Sequence, residues 1–271
     1  MPKATTIVKN LTLTYLFREI KFIKAIMFSK THTKYIQSLH HKKFRDEYGV
    51  FIAEGTKVVL EFLAADKFEC KQLFALPDWF LTNAKAIPTD VEQIEVKDFE
   101  LEKISALSTP NKVLAVFQKS TLPQTVVGKH KITLVLDAIQ DPGNMGTIIR
   151  NADWFGVQNI VCSLNSADIY NPKVVQSSMG SLARVNVVYK DLLAWLKENN
   201  QVDKFAADLN GEDVSSLKNI KEAIIIIGNE GKGISDDVME LVDKKITIKK
   251  IGKAESLNAA VASGIILAFI G

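Results

Sequence analysis

Cysteine and histidine are scarce: the 271 residues hold two Cys, Cys70 and Cys162, and four His, His32, His40, His41 and His130. The thiols lie far apart in apolar, strand-like runs, so neither a disulfide framework nor a cysteine-based metal site is expected. No HExxH or comparable ligand spacing joins the histidines, which leaves no metal expected. A reducing, cytoplasmic setting fits these counts. Long uncharged apolar runs are missing near the start: the stretch Leu11 to Phe17 is interrupted at once by Arg18, Glu19, Lys21 and Lys24. No small-residue cleavage site follows, so neither a signal peptide nor a membrane span is expected. A large charge of one sign is lacking too. The formal charge is only +3, too small to mark a nucleic-acid binder by itself.

Two glycine motifs are absent. Residues 223 to 235 run Ala-Ile-Ile-Ile-Ile-Gly-Asn-Glu-Gly-Lys-Gly-Ile-Ser, an apolar β-branched strand that empties into a glycine-rich turn. A Walker A loop needs a Lys and a Ser or Thr after its second glycine, but Ile234 follows Gly233. A Rossmann fingerprint needs a third glycine, where this chain has Asp236. What survives is a turn whose glycines allow close backbone approach to a ligand, with the carboxylate of Glu230 at its centre.

What is present is an ordinary globular composition, 47% hydrophobic and 24% charged. The length suits two domains. Residues 1 to 126 carry 18 Lys and Arg against 14 Asp and Glu, whereas 127 to 271 carry 16 against 17, so the positive excess belongs to the N-terminal part. Between Lys30 and Arg45 stand Lys30, Lys34, Lys42, Lys43 and Arg45 with no acidic residue, a cluster suited to a phosphate backbone. Periodicity predicts a helix over 33–46 with Ile36, Leu39 and Phe44 inward. It then predicts strands at 50–53, 72–75, 93–96 and 113–117, and a helix opened by Glu54 and Gly55. Residues 120–131 hold Pro123 and Gly128 and read as a linker. Beyond it, strands are expected at 132–137, 159–162, 184–188, 204–207, 223–227 and 245–248. Helices are expected at 144–155, 172–182, 190–199 and 256–270. This alternation argues an α/β fold with a mostly parallel sheet covered on both faces.

Three stretches carry a resemblance. They are Leu134 to Val157 with Asn144 and Arg150, Ile227-Gly228-Asn229-Glu230-Gly231, and Glu255-Ser256-Leu257-Asn258. In residue type, order and spacing they resemble the motifs of the SpoU/TrmH family of SPOUT RNA 2'-O-ribose methyltransferases. The resemblance implies a deep trefoil knot in residues 132–271, which departs from the usual rule against threaded chains. It implies S-adenosylmethionine as cofactor, RNA as substrate with ribosomal RNA favoured, and a homodimer joined near the last helix. The sequence Val50-Phe51-Ile52-Ala53-Glu54-Gly55 looks like the small substrate-binding domain of many members, which places that domain at 27–119. Because the family-like sequence starts just after Met27, residues 1–26 are expected to be a poorly ordered extension, or alternatively a short helix.

Residue by residue, the resemblance implies catalytic roles for Arg150, Asn144, Glu230 and Ser256. Ala206 to Asn210, the Gly228 turn, Ile248 to Ile251 and Leu257 are implied to surround the cofactor. Within those loops Leu209, Gly228, Ile248, Leu257 and Asn258 are its candidate contacts. RNA contacts are expected at Lys30, Lys34, Lys42, Lys43, Arg45 and Lys173, while a basic residue often found in the family stands here as Gln176. A guanidinium stays protonated in proteins, so Arg150 is expected to hold phosphate or the 2'-oxygen, with a role as base left open. Two alternatives stand beside this expectation: transfer RNA as substrate, and a non-catalytic RNA-binding protein of the same fold. The second predicts lost polar residues at the motifs, and Asn144, Arg150, Glu230, Ser256 and Asn258 are all present.

Overall fold

The computed structural model describes residues 26–120, 131–217 and 220–270. In the first half, β1 (Ile26–Met27) precedes α1 (Lys30–Ser38), α2 (Lys42–Tyr48), β2 (Val50–Glu54), α3 (Thr56–Leu63) and β3 (Cys70–Ala75). Then come α4 (Pro77–Asn83), β4 (Glu92–Glu95), α5 (Asp98–Ile104) and β5 (Val113–Gln118). The strands form one mixed sheet in the order β1-β4-β3-β5-β2, with β5 antiparallel to both neighbours. Of the expected N-terminal extension, only Ile26 lies within the described residues, where it pairs with Ile94. The linker expected at 120–131 likewise falls outside them except at its two ends.

The single helix expected over 33–46 is two. The chain breaks at Leu39 to His41, and the guanidinium of Arg45 takes the carbonyls freed there, with Nη1 donating to Leu39 and His40 at 2.9 Å each. Helix ends leave carbonyls without intrahelical partners, and here one side chain of the next helix meets two of them. Ile36 and Leu39 are buried as expected, whereas Phe44 is only partly so. Glu54 does not open a helix. It is the last residue of β2, 6% exposed, and its carboxylate accepts the Ser105 hydroxyl and the Ala106 amide.

The second half alternates β6 (Ile132–Leu136), α6 (Pro142–Trp154), β7 (Asn159–Ser163), α7 (Pro172–Ser178), β8 (Asn186–Lys190) and α8 (Leu192–Glu198). It continues with β9 (Lys204–Asp213), β10 (Ala223–Ile227), α9 (Asp236–Met239), β11 (Lys244–Thr247) and α10 (Ala259–Ile270). Six strands in the order β11-β9-β10-β6-β7-β8 pair in parallel throughout. Successive side chains on a strand point to opposite faces, and the core divides accordingly. Leu134, Leu136, Ile225 and Ile227 pack with Met145, Ile148, Ile149, Ile266 and Leu267. Val135, Ile224 and Ile226 pack with Leu192, Trp195 and Val238 on the other face. That two-sided burial is why these strands read as unbroken apolar runs.

Several boundaries differ from the sequence pattern. The helix expected over 172–182 stops at Ser178, because Met179 and Gly180 take positive φ. The strand expected at 184–188 starts at Asn186. The last helix begins at Ala259, since Asn258 caps it by accepting the amides of Ala260 and Val261. The strand from Lys204 runs on to Asp213, but with an excursion: Phe205 and Ala206 pair with Lys244 and Lys245, then Glu212 and Asp213 pair with Ile246 and Thr247. Residues 207–211 are thus looped out of the ladder. A Cβ at Gly211 would sit 2.5 Å from the Ile246 nitrogen, so only glycine lets the chain rejoin there.

The two halves share one continuous apolar cluster, in which Phe51 of β2 lies 4.9 Å from the ring of Tyr170. Polar contacts accompany it. Arg45 Nη2 meets Asp168 at 2.8 Å, and Arg184 bridges Glu61 and Asp153 at 2.5 and 2.8 Å. Lys67 donates to the carbonyls of Leu182 and Val185 at 3.0 and 2.6 Å, and burial pushes its ammonium down to about 8. The unfolded chain therefore binds a proton that the folded chain has shed between pH 8 and the ordinary lysine value of 10.5. By linkage this group's contribution rises with pH through that window and is lost as pH falls through about 8. Urea unfolding at pH 7.5 and 9.5 is expected to show wild type gaining on a Lys67→Met variant at the higher pH; a constant difference would refute it.

Candidate active site

All six parallel strands end on one edge of the sheet. β6 to β8 step outward in one direction while β9 to β11 lie on the other side, and ligands in such sheets gather at the carboxyl ends beside that reversal. The loops after β6, β9, β10 and β11 meet here.

Helix α6 enters from β6 through Asp141, whose side chain caps the helix by accepting the Asn144 amide at 2.8 Å. With the cap supplied by Asp141, the side chain of Asn144 is free for other work. Its Nδ2 donates to Glu230 Oε1 at 2.5 Å, and its Oδ1 accepts Asn258 Nδ2 at 2.9 Å. Asn258 in turn caps α10. A chain Glu230–Asn144–Asn258 thus ties together the turn after β10, the start of α6 and the start of α10. An Asn serves at its centre because its amide donates to one neighbour and accepts from the other.

The turn that presents Glu230 is itself tightly folded. Asn229 and Gly233 exchange backbone hydrogen bonds of 2.9 Å. A Cβ on Gly228 would lie 2.3 Å from the Gly233 carbonyl carbon, which no side chain tolerates. Asn229, to which the sequence analysis assigns no role, does three things. Its Oδ1 accepts the amides of Gly231 and Lys232 at 2.9 and 3.1 Å, while its Nδ2 donates to the Ala138 carbonyl at 2.9 Å. Ala138 has φ +55° and is held from the other side by Ser163 Oγ, which accepts its amide at 2.8 Å. Asp137 completes the seam by accepting the Ser235 amide and hydroxyl at 2.8 and 2.7 Å. The Asn-Glu-Gly order is a legible sign of an Asx turn; the bond to Ala138, 91 residues away, has no local signature.

The loops expected around a cofactor adjoin one another. Ala206 on β9 pairs with Ile226 on β10, and the Thr247 hydroxyl donates to the Leu209 carbonyl at 3.3 Å, which sets Leu209 beside Ile248. Leu209 is 66% exposed, Ile251 93% and Leu257 46%. These exposed apolar side chains sit on loops at the ends of parallel strands, where ligands of such sheets bind.

Not every expected residue joins the chain of contacts. Arg150 lies on α6 six residues beyond Asn144, about 9 Å along the axis. It is exposed and has no hydrogen bond or ion pair among the described residues. Glu230 therefore orients Asn144, not Arg150. Ser256 is exposed and makes no side-chain hydrogen bond among the described residues. Lys173 reaches Asp141 at 3.5 Å, next to the start of α6, while Ser178 is buried and bonded to Val175. Lys30, Lys34 and Lys43 are exposed, and Lys42 pairs with Asp46 at 2.6 Å. Arg45 departs from expectation: it is 1% exposed and engaged with Asp168, Leu39 and His40, so it is unavailable to phosphate. Charge spacing could not reveal this, because the break between α1 and α2 turns Arg45 inward.

Comparison with known proteins identifies both halves. Residues 131–268 match the SpoU rRNA Methylase family, and residues 30–115 match the MRM3-like substrate binding domain. The chain is 31% identical over 238 residues to the 23S rRNA (guanosine(2553)-2'-O)-methyltransferase RlmP of Bacillus subtilis, covering 85% of this chain and 92% of that protein. The AdoMet-bound rRNA methyltransferase of Sinorhizobium meliloti superposes with a TM-score of 0.80 at 28% identity, over 90% of this chain and 96% of that one. The SpoU methyltransferase AviRb of Streptomyces viridochromogenes, in complex with AdoMet, gives 0.78 at 25% identity over 89% and 97%.

Proposed function

Since the chain belongs to the SpoU rRNA methylase family, we propose that it methylates a ribose 2'-hydroxyl of ribosomal RNA at the site built around Glu230, Asn144 and Asn258. It is an S-adenosylmethionine-dependent RNA 2'-O-methyltransferase. The observation that supports this placement of the site is the hydrogen-bonded chain joining three loops at the carboxyl edge of the sheet.

S-adenosylmethionine supplies an electrophilic methyl on a sulfonium. The residues' part is to hold donor and acceptor in line and to steady charge as the hydroxyl proton leaves. Leu209, Gly228, Ile248 and Leu257 form the cofactor's walls, apolar side chains against the ring and backbone groups against the polar atoms. Glu230 and Asn144 fix the turn and the helix start relative to one another, and Ser256 faces the reacting nucleotide. Arg150 binds phosphate or the 2'-oxygen. Lys30, Lys34, Lys43 and Lys173 grip the RNA backbone, with residues 27–119 as its binding domain.

The exposed position of Arg150, away from Glu230, agrees with a homodimer in which α6 and α10 meet their copies. Val261 and Phe269 on α10 and Trp154 at the end of α6 are 50%, 51% and 83% exposed. Apolar area of this kind is what a C2 interface covers. We place the enzyme in the cytoplasm; among the described residues no helix is long and apolar enough to cross a membrane.

Incubation of the protein with ribosomal RNA and methyl-labelled cofactor tests the reaction. A 2'-O-methyl blocks alkaline cleavage, so label is expected in an alkali-resistant dinucleotide; label released in mononucleotides would refute ribose methylation. Arg150→Lys is expected to keep the melting temperature and the calorimetric affinity for S-adenosylmethionine while losing most turnover, since a point charge does not reproduce a guanidinium fork. Unchanged turnover would remove Arg150 from the mechanism.

A further inference from the structure

Lysines grip phosphate but leave bases unread. Beside Lys43 stands a group of rings, of which Phe44, expected inward, is only partly buried. Tyr48 on α2 is 48% exposed. Phe44, one turn earlier, lies nearly parallel to it, with centroids 6.5 Å apart and planes inclined by 17°. At that separation the two rings are not in full face-to-face contact. Tyr35 of α1 props Tyr48 from behind in an edge contact of 5.4 Å at 68°.

Besides the Lys42 and Asp46 pair, the surroundings hold two exposed lysines and one exposed carboxylate, that of Glu47. Lys43 Nζ stands 5.7 Å from the centre of the Phe44 ring. Lys34 is exposed on α1, and neither lysine is in an ion pair among the described residues. The nearby Asp46 is already neutralised, since Lys42 and Lys119 both hold it at 2.6 Å. The core rings of this domain point inward: Phe51, Phe62 and Phe117 are fully buried. Phe44 and Tyr48 keep open surface, as does Phe99 on α5, and they alone of these lie as a near-parallel pair. Arg45, between them in sequence, is clamped to Asp168 of the catalytic half, and four residues beyond Asp168 the chain enters α7, which carries Lys173. The ring pair is therefore held at a set position relative to the active site.

We propose that Phe44 and Tyr48 form a stacking platform for an unpaired base of the substrate RNA, with Lys43 and Lys34 taking the flanking phosphates. Flat rings bordered by lysines are what single-stranded nucleic acid requires, because every base has a π face and the backbone is anionic. A duplex keeps its bases stacked on one another and offers the platform nothing. The inference rests on RNA being the substrate.

Fluorescence anisotropy on the full chain, at one fixed salt concentration, separates the roles with two probes: a labelled unstructured uridine-rich RNA of about 12 nucleotides, in the range such sites span, and a blunt RNA duplex of the same length. Tyr48→Leu keeps apolar bulk against Tyr35 but removes the ring. It is expected to weaken single-strand binding about five- to hundredfold, the span seen when a stacking ring is lost, with duplex binding within about twofold of wild type. Tyr48→Phe should bind as wild type does, and Phe44→Leu should repeat the Tyr48→Leu loss. Lys43→Ala should weaken both probes, and in a separate titration over several salt concentrations it should flatten the salt dependence. Wild-type affinity for both probes in Tyr48→Leu, or equal loss on both, overturns the platform. Failure of wild type to bind either RNA would instead bring down the RNA-acting assignment, and the platform with it.

Discussion

Glu230→Ala and Asn144→Ala are each expected to fold and to lose turnover about a hundredfold, at the lower end of what positioned acid–base and hydrogen-bonding groups contribute. The physical reason is that the two side chains act through one 2.5 Å contact, which holds the glycine turn against the start of α6. Removing either partner frees both loops, so the second deletion has little left to remove. The double variant is accordingly expected to be hardly slower than the worse single, the non-additivity shown by groups that work as a unit. Single-turnover rates of the four proteins at saturating RNA and cofactor give the cycle. Independent effects that multiply in the double variant would show that Glu230 and Asn144 do not work through each other. Both side chains are partly exposed, so the melting temperature should move little, and a large drop would mark a structural role instead.

The largest effect on stability is expected at Arg45. Its guanidinium is buried, pairs with Asp168 at 2.8 Å, and satisfies two carbonyls at the break between α1 and α2. Arg45→Ala would leave two carbonyls without a donor and a mostly buried carboxylate with no cation, holding only the Tyr170 amide. Breaking a buried ion pair from one side costs about 3–5 kcal/mol, a large share of a domain's total stability of about 5–15 kcal/mol. Asp168→Asn keeps an acceptor for the guanidinium and should cost less. Urea unfolding measures both, and an Arg45→Ala protein within about 1 kcal/mol of wild type would contradict the role, since that is the scale of an exposed pair. Lys42→Ala offers the contrast: its pair with Asp46 is exposed on both sides, so little stability should be lost.

The same two cases show which parts of the structure were legible in the chain. The run Ala223 to Ile227 announced a strand buried on both faces, and every one of its residues is buried. Gly228 is expected to let a ligand approach the backbone; what the fold shows is a different need for glycine, since the turn's own Gly233 and Ile234 backbone leaves no room for a Cβ. Helix α6 was visible from its Pro-Gly entry and its closure at Gly156. By contrast, Arg45 and Lys43 look alike in a charge count, yet one is buried at the seam between the halves and the other stands over a ring in solvent. Asn144 bridges two loops because Asp141 supplies the cap of α6 and leaves its side chain free to do so. The excursion at residues 207–211 is invisible to periodicity, since the ladder resumes in register with β11 only because Gly211 can pass the Ile246 backbone.

Local order of residues sufficed for the alternation of strands and helices, for the glycine turns and for the motifs that mark the family, because each depends on neighbours within a turn or a strand. Only the folded chain decided which charges face water, which polar side chains meet across 86 and 114 residues, and where the N-terminal half is clamped. Those outcomes depend on burial and on hydrogen-bond partners brought from distant segments, and a linear pattern carries no record of either.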